Sequence, residues 1–508
     1  MEVYNKSNAA GIPCDLITGE ERKYALQEKI LHNPDNEEEL LEANHMACTA
    51  EMVQLDKEFD VAVIDEIQTI KNEDRGWAWT RALLGLNCKE IHVCGEKSAV
   101  DIVQALSEKC GDDFEVQSYE RLTKLKVEDQ VLGSLENLQP GDCIICFNKN
   151  RIVDLAQAIK KFGHEVAVIY GNLPPSTKIE MAKNFNNPAH PCKILIATDA
   201  IGMGLNLSIR RIIFDTIKNF TKKQGISTVQ HLNTSSILQI AGRAGRFGTQ
   251  WEEGLVTTMK ESDLSYLQSI FKTSVPMIKK ACFQPEIELV ELYSYYLPNY
   301  SVTQIIDLMK TYCKIDDSLY FMSSNDNFRK LSEELSHIPL NIRQRYSLGF
   351  APISSNETYE TQIFIKFAKH ISKQERVTLS WLSNEIQWPV LSPNTSRQLY
   401  HLEAKYNVVE LYCWLSYNFP HIFDEVDSVR YMKFDIEKKI MDAVSNYSHL
   451  KNKRAATSRN LNTDDDYKEH NNADSVVAEQ LIKKGIITSV ILKQLEEEWN
   501  SVSYFQYL

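Results

Sequence analysis

Val61-Ala62-Val63-Ile64-Asp65-Glu66-Ile67-Gln68 is the stretch from which the rest of the chain can be read. Four apolar residues lead straight into two acids, so the run reads as a buried strand with carboxylates at its carboxyl end. Nucleotide hydrolysis needs such a pair. One carboxylate holds Mg2+ through water, and the next polarises the attacking water. Taken alone, the same string fits a solvated strand end just as well.

Outward from it, Ile91-His92-Val93-Cys94, Ile144-Ile145-Cys146-Phe147, Val166-Ala167-Val168-Ile169, Ile194-Leu195-Ile196-Ala197 and Ile212-Ile213-Phe214 repeat the short apolar pattern between helical stretches. Continuous apolar strands alternating with helices imply parallel sheets buried on both faces, hence an α/β fold. Gln139-Pro140-Gly141-Asp142 is a turn ahead of a strand of the second sheet. A boundary near Ser118 separates two α/β units, 1–117 and 118–271. Beyond Lys272 the strand pattern fades. Val302, Ile305, Ile306 and Met309 recur at helical spacing, and Leu402 to Phe419 is apolar nearly all round, so 272–446 reads as a helical domain. A polar, charge-rich stretch over 447–474 reads as a disordered linker. The segment 475–508 reads as a helical tail broken near Gly485.

Composition sets the outer limits. The chain has 508 residues with 43% hydrophobic and 25% charged side chains, a globular balance with room for about three domains. No apolar run approaches the ~18 residues of a spanning helix. Met1 to Ala10 lack both a secretory and an organelle-targeting pattern. A net charge of -13 argues against general coating of polyanions but leaves a local basic groove open. Eleven cysteines without framework spacing fit a reducing compartment. The pair Cys143 and Cys146 sits in an apolar strand and lacks a second ligand pair, so it reads as structural.

Two further motifs carry chemistry. Gln239-Ile240-Ala241-Gly242-Arg243-Ala244-Gly245-Arg246 puts two arginines three residues apart, which on a helix share a face. A guanidinium pair is what charge stabilisation on a transferring phosphoryl group requires. Ala197-Thr198-Asp199-Ala200-Ile201-Gly202-Met203-Gly204-Leu205-Asn206 follows an apolar strand. Its small residues, with Gly202 and Gly204, leave backbone amides free to face phosphates.

In this order the three strings resemble motifs II, V and VI of superfamily-two helicases, with His92-Val93-Cys94-Gly95-Glu96 in the place of motif III. The closer resemblance is to the mitochondrial Suv-type (suppressor-of-Var-three-like) ATP-dependent RNA helicases. It is carried by Lys6-Ser7-Asn8-Ala9-Ala10-Gly11, Thr18-Gly19-Glu20-Glu21-Arg22, Arg75 to Arg81, Val168 to Pro175, Gly204 to Arg211 and His337-Ile338-Pro339-Leu340. The resemblance implies tandem RecA-like domains followed by an α-helical domain, with ATP in the cleft between the RecA-like units. It implies Mg2+, with Mn2+ as the alternative ion, held through water at Asp65. It implies Glu66 on the attacking water, Gln239 on the γ-phosphate and Arg243 and Arg246 on the developing charge. RNA, single-stranded or duplex, is expected at Thr18, Gly19, Arg22, Gly171 and Thr198. Unwinding from 3′ to 5′, RNA degradation with polynucleotide phosphorylase, and a place in the mitochondrial matrix or the nucleus are expected on the same ground.

The family also implies a phosphate-binding loop, Gly-x-x-x-x-Gly-Lys-Ser/Thr, and residues 1–508 contain no such string. Cys94-Gly95-Glu96-Lys97-Ser98 lacks the first glycine and follows Asp65 instead of preceding it. The expectation is a chain that begins after the loop and its strand, has no ATPase activity by itself, and leaves an unpaired strand edge in its first sheet. A non-catalytic RNA-binding or scaffold protein of an RNA-decay complex is the alternative. A metal hydrolase fits less well, because no second carboxylate or histidine cluster accompanies Asp65 and Glu66.

Overall fold

A computed structural model describes residues 2–19, 21–26, 43–202, 204–223, 226–355 and 357–447. The expected tail at 475–508 and all of the expected linker except Tyr447 lie outside the described residues. Tyr447 itself is buried, so the helical core extends to that residue.

Three short strands, β1 (Cys14–Ile17), β2 (Arg22–Lys23) and β3 (His45–Cys48), form a small sheet in the order β2-β1-β3. The turn between β1 and β2 is held by Thr18. Its amide and Oγ1 donate to the Glu21 carbonyl at 2.8 and 3.0 Å, and its Oγ1 accepts from the Glu21 amide at 2.8 Å. Strands β4 (Glu58–Ile64) and β5 (Asn87–Val93) pair in parallel, with Ile64 opposite Val93. Helices α1 (Gly76–Gly85) and α2 (Val100–Cys110) supply Ala78, Trp79, Ala82, Ile102, Val103 and Leu106 to the core under Ile64.

Burial on both faces was expected for β4 and is not found. Val61 and Val63 are 55% and 67% exposed. Alternate side chains of a strand point to opposite faces, and among the described residues only the Ile64 face is covered.

In the second unit the expected parallel sheet with helices is found. It contains β6 (Leu125–Val127), β7 (Asp142–Ile145), β8 (Glu165–Ile169), β9 (Cys192–Ala197), β10 (Arg211–Phe214), a hairpin of β11 (Lys218–Lys223) and β12 (Ile226–His231), and β13 (Gly254–Thr258). Six of these form an all-parallel sheet in the order β6-β13-β10-β7-β9-β8. Ile144, Ile145, Leu195, Ile196, Ile212 and Ile213 are wholly inaccessible, because helices cover both faces. The helices are α3 (Lys149–Lys161), α4 (Pro175–Asn186), α5 (Thr234–Ala241) and α6 (Glu261–Lys272). Asn148 starts α3 by accepting from the amides of Asn150 and Arg151, and Asn233 starts α5 by accepting from that of Ser236.

Past Lys272 the chain is mainly helical, with one short parallel pair, β14 (Ala281–Phe283) and β15 (Tyr320–Met322), that periodicity did not signal. Helix α7 (Val302–Tyr312) opens on a Ser301/Gln304 capping box, and α8 (Ser396–Asn418) on a Thr395/Gln398 box. Helix α8 is buried along most of its length, and α9 (Val426–Ser445) packs beside it and against α4 and β8. The whole is RecA-like α/β architecture followed along the chain by a helical region. No helix among the described residues is long and apolar enough to cross a membrane.

Candidate active site and nucleic-acid interface

Asp65 and Glu66 leave the end of β4 under tight control. The Asp65 carbonyl accepts from Trp79 Nε1 of α1 at 2.8 Å, and its Oδ1 accepts from the Glu66 amide at 2.9 Å. Glu66 turns the chain in the left-handed region, at φ 54°. Its carboxylate accepts from Gln68 Nε2, and Gln68 Oε1 in turn accepts from the Glu96 amide at 3.1 Å. Gly95 packs closely beside them: a Cβ there would lie 2.5 Å from Gln68 Oε1 and 2.7 Å from Ile67 Cγ2, so both side chains would have to shift.

The two arginines come from the second unit, but not from a helix face. Helix α5 ends at Ala241. Gly242 follows as its cap, Ala244 bridges to Ile209, and Gly245 stands at φ 62°. Arg243 and Arg246 therefore sit on a tight loop, where backbone pairing has replaced the helix expected from their spacing. Arg243 donates to the Gly202 carbonyl and lies 3.8 Å from Glu66 Oε1. Burial pulls its guanidinium below the ordinary arginine value. The Glu66 and Asp65 carboxylates oppose that shift, and Arg246 adds to it.

Asp65, Glu66, Gln239, Arg243 and Arg246 thus line one cleft of about 380 Å3. That volume lies within the range of small-molecule sites, about 300–1,000 Å3. Among the described residues no group of three or more His, Cys, Asp or Glu could cage a metal. Two adjacent carboxylates do suit Mg2+, which keeps several waters and takes one or two carboxylates together with substrate phosphates.

Four residues missed in the sequence hold this cleft. Ser235, on the first turn of α5, donates to the Glu96 carboxylate at 3.1 and 3.3 Å, linking the two α/β units. Arg121 donates to the carbonyls of Gly242 at 3.0 Å, Gly245 at 2.8 Å and Ala244. Thr123 Oγ1 adds a bond to the Gly245 carbonyl at 2.7 Å. No spacing rule marks a lone Ser, Arg or Thr. Glu96 belongs to the His92-Val93-Cys94-Gly95-Glu96 string, whose spacing assigns it no role of its own.

The residues expected at RNA fall in two places. Gly171 and Thr198 follow the paired strands β8 and β9, and the Thr198 amide donates to the Ile169 carbonyl at 3.1 Å. Thr18 and Gly19 lie in the turn after β1, in the first unit. Arg22 stands 4.3 Å over the ring of Tyr417 in α8, so its guanidinium already has a partner. Gly202 is buried behind Arg243, whereas Gly204 is open at φ 73°. Cys143 and Cys146 are free and buried, and burial pushes their thiols up, that of Cys146 to about 11.

Residues 1–119 match the DEXQ-box helicase domain of Suv3, and residues 123–248 match the helicase conserved C-terminal domain. Residues 330–372 match the Suv3 C-terminal domain 1, and 399–446 the ATP-dependent RNA helicase SUV3 C-terminal domain. The chain is 43% identical over 510 residues to the mitochondrial ATP-dependent RNA helicase SUV3 homolog of Drosophila melanogaster, covering 98% of this chain and 65% of that protein. Against ATP-dependent RNA helicase SUPV3L1 of Homo sapiens the identity is 41%, covering 98% and 66%. Against the SUV3 homolog of Caenorhabditis elegans it is 38%, covering 98% and 68%. The chain thus spans about two thirds of the length of these relatives. With both helicase domains, both C-terminal domains and this level of identity, the chain belongs to the SUV3 family of ATP-dependent RNA helicases.

Proposed function

We propose that residues 1–508 form the motor body of an ATP-dependent RNA helicase that works in mitochondrial RNA degradation. The observation that carries this reading is the cleft itself. Asp65 and Glu66 of the first unit face Gln239, Arg243 and Arg246 of the second, with Glu66 and Arg243 already 3.8 Å apart. Glu66 accepts the proton of the attacking water. Gln239 orients the γ-phosphate. Arg243 exchanges its contact with Glu66 for the phosphoryl oxygens, and Arg246 neutralises the charge that develops beside it. Asp65 would hold Mg2+ through water, and the ion when bound supplies charge neutralisation on the phosphates.

RNA would run across Gly171 and Thr198 and past the Thr18-Gly19 turn, mostly through phosphates, which makes binding salt-dependent and sequence-tolerant. Arg22 joins it from its place over the Tyr417 ring. Unwinding from 3′ to 5′, partnership with polynucleotide phosphorylase and residence in the matrix belong to the same proposal.

One observation favours a second reading, a non-catalytic RNA-binding or scaffold role. Residues 1–508 hold no Gly-x-x-x-x-Gly-Lys-Ser/Thr string to cradle the β- and γ-phosphates. The deciding experiment compares RNA-stimulated ATP hydrolysis by residues 1–508 with that of a chimera carrying such a loop and its strand ahead of residue 1. Residues 1–508 should be inactive. The chimera should turn over, lose activity in Glu66→Gln, and fall by about 10³- to 10⁵-fold in Arg246→Ala with RNA binding kept. A chimera that binds ATP without hydrolysing it would favour the scaffold role. Turnover by residues 1–508 that Glu66→Gln abolishes would mean that another phosphate site exists.

A further inference from the structure

The carboxylate of Glu403 is buried, at 2% exposure, on α8 in the helical region. Its two oxygens serve the segments that follow two different strands of the second α/β unit. Oε2 lies 3.0 Å from Nζ of Lys149, which starts α3 shortly after β7. Oε1 accepts from the hydroxyl of Tyr170, the residue after β8. In the sheet order β7-β9-β8, strand β9 lies between these two, and Thr198 is the residue after β9. One carboxylate therefore joins the segments that follow β7 and β8, the two neighbours of β9, and it grips the residue immediately before Gly171.

The surroundings reinforce this grip. Lys149 Nζ lies 4.8 Å from the Tyr400 ring and 5.2 Å from the Tyr170 ring. The Tyr447 ring meets that of Tyr170 edge-on at 6.4 Å. Beyond Gly171, Ser176 at the start of α4 donates to Glu437 of α9, and Lys178 donates to the Gly171 carbonyl at 2.7 Å. A buried ion pair contributes little net stability, because desolvation offsets its attraction. What it does enforce is spacing. Both oxygens are satisfied together only while the segments after β7 and β8 stay within reach of one carboxylate.

We propose that Glu403 is a positioning residue for RNA, stapling the ends of β7 and β8 so that Gly171 and Thr198 meet the phosphates at a set spacing. The proposal rests on the reading of Gly171 and Thr198 as RNA contacts. It adds that the helical region governs RNA affinity through a residue that itself touches no RNA.

The test measures binding of a fluorescent single-stranded RNA oligonucleotide to the whole chain across a salt series, for wild type, Tyr170→Phe, Glu403→Gln and Lys149→Met, with an unfolding midpoint for each. Tyr170→Phe removes only a hydroxyl and should stay folded. Each variant should bind about five- to tenfold more weakly with an unchanged salt slope, because no phosphate-facing charge is lost. Unchanged affinity together with a lower midpoint would make the cluster merely structural and overturn the proposal. Tighter binding with a steeper slope in Glu403→Gln would mean that Glu403 competes with phosphate for Lys149, which also overturns it. A slope flattened by about 0.7 in Lys149→Met would place Lys149 itself on a phosphate and do the same. Failure of wild type to bind RNA would refute the underlying reading as well, and is distinguishable because it appears before any variant is compared.

Discussion

Arg243 and Arg246 owe their position to Gly245. At φ 62° this residue occupies a backbone region that glycine enters freely, and a Cβ there would fall 2.2 Å from the Gly254 amide nitrogen. The loop is also tied in place, because Arg121 and Thr123 both donate to the Gly245 carbonyl. Gly245→Ala therefore has no cheap relaxation. Left-handed strain and overpacking together should cost about 3 kcal/mol, read as a lower midpoint in urea unfolding. A cost below about 0.5 kcal/mol would show that the loop moves aside and that the contact with Gly254 is soft.

Among the elements, the β4–β5 pair stands apart from the six-stranded sheet. The latter is covered on both sides, whereas Val61 and Val63 present an apolar strip on β4 with no cover among the described residues. Exposed apolar strand faces favour association with other chains. Replacing both valines by threonine keeps the β-branched shape and adds a hydroxyl. Light scattering should then show less self-association, with the unfolding midpoint altered by no more than about 0.5 kcal/mol equivalent. Equal scattering by both proteins would mean that this strip is not the adhesive surface.

At the scale of the molecule, two buried carboxylates of the helical region, Glu403 at its contact with the second α/β unit and Glu360 bonded to Asn407 within the region, give stability a pH dependence. Burial raises the pKa of Glu403, with Lys149 and the Tyr170 hydroxyl opposing. Burial raises that of Glu360, with Asn407 opposing. A carboxyl whose folded-state pKa is raised holds its proton more tightly folded than unfolded. Its contribution is therefore greatest below the ordinary value of 4.5 and is lost as pH rises through the folded-state value. Asp307, held down by Arg329, works in the opposite sense at lower pH. Thermal melts from pH 4.5 upward should show the wild-type midpoint falling more steeply than those of Glu360→Gln and Glu403→Gln. Parallel curves would show that neither carboxyl titrates differently on folding.

The parallel second sheet was determined by sequence alone, because strands buried on both faces must be apolar without interruption, and Ile144-Ile145, Ile194 to Ala197 and Ile212 to Phe214 are. The acids of the cleft were legible at the end of the apolar run Val61 to Ile64, although that strand is covered on one face only, and the Gly-Arg-x-Gly-Arg string that meets them there was legible from its spacing. Local pattern could not show that Arg243 and Arg246 leave the helix. Their loop is set by the Ile209–Ala244 bridge and by Gly254, partners remote in sequence. Nor could it single out Arg121, Ser235 or Glu403, ordinary polar residues until folding brings a carbonyl, a carboxylate or two strand ends within reach. Apolar periodicity reports which side of an element is buried, and it carries no record of which distant group a single polar atom will meet. That pairing was decided by the tertiary structure.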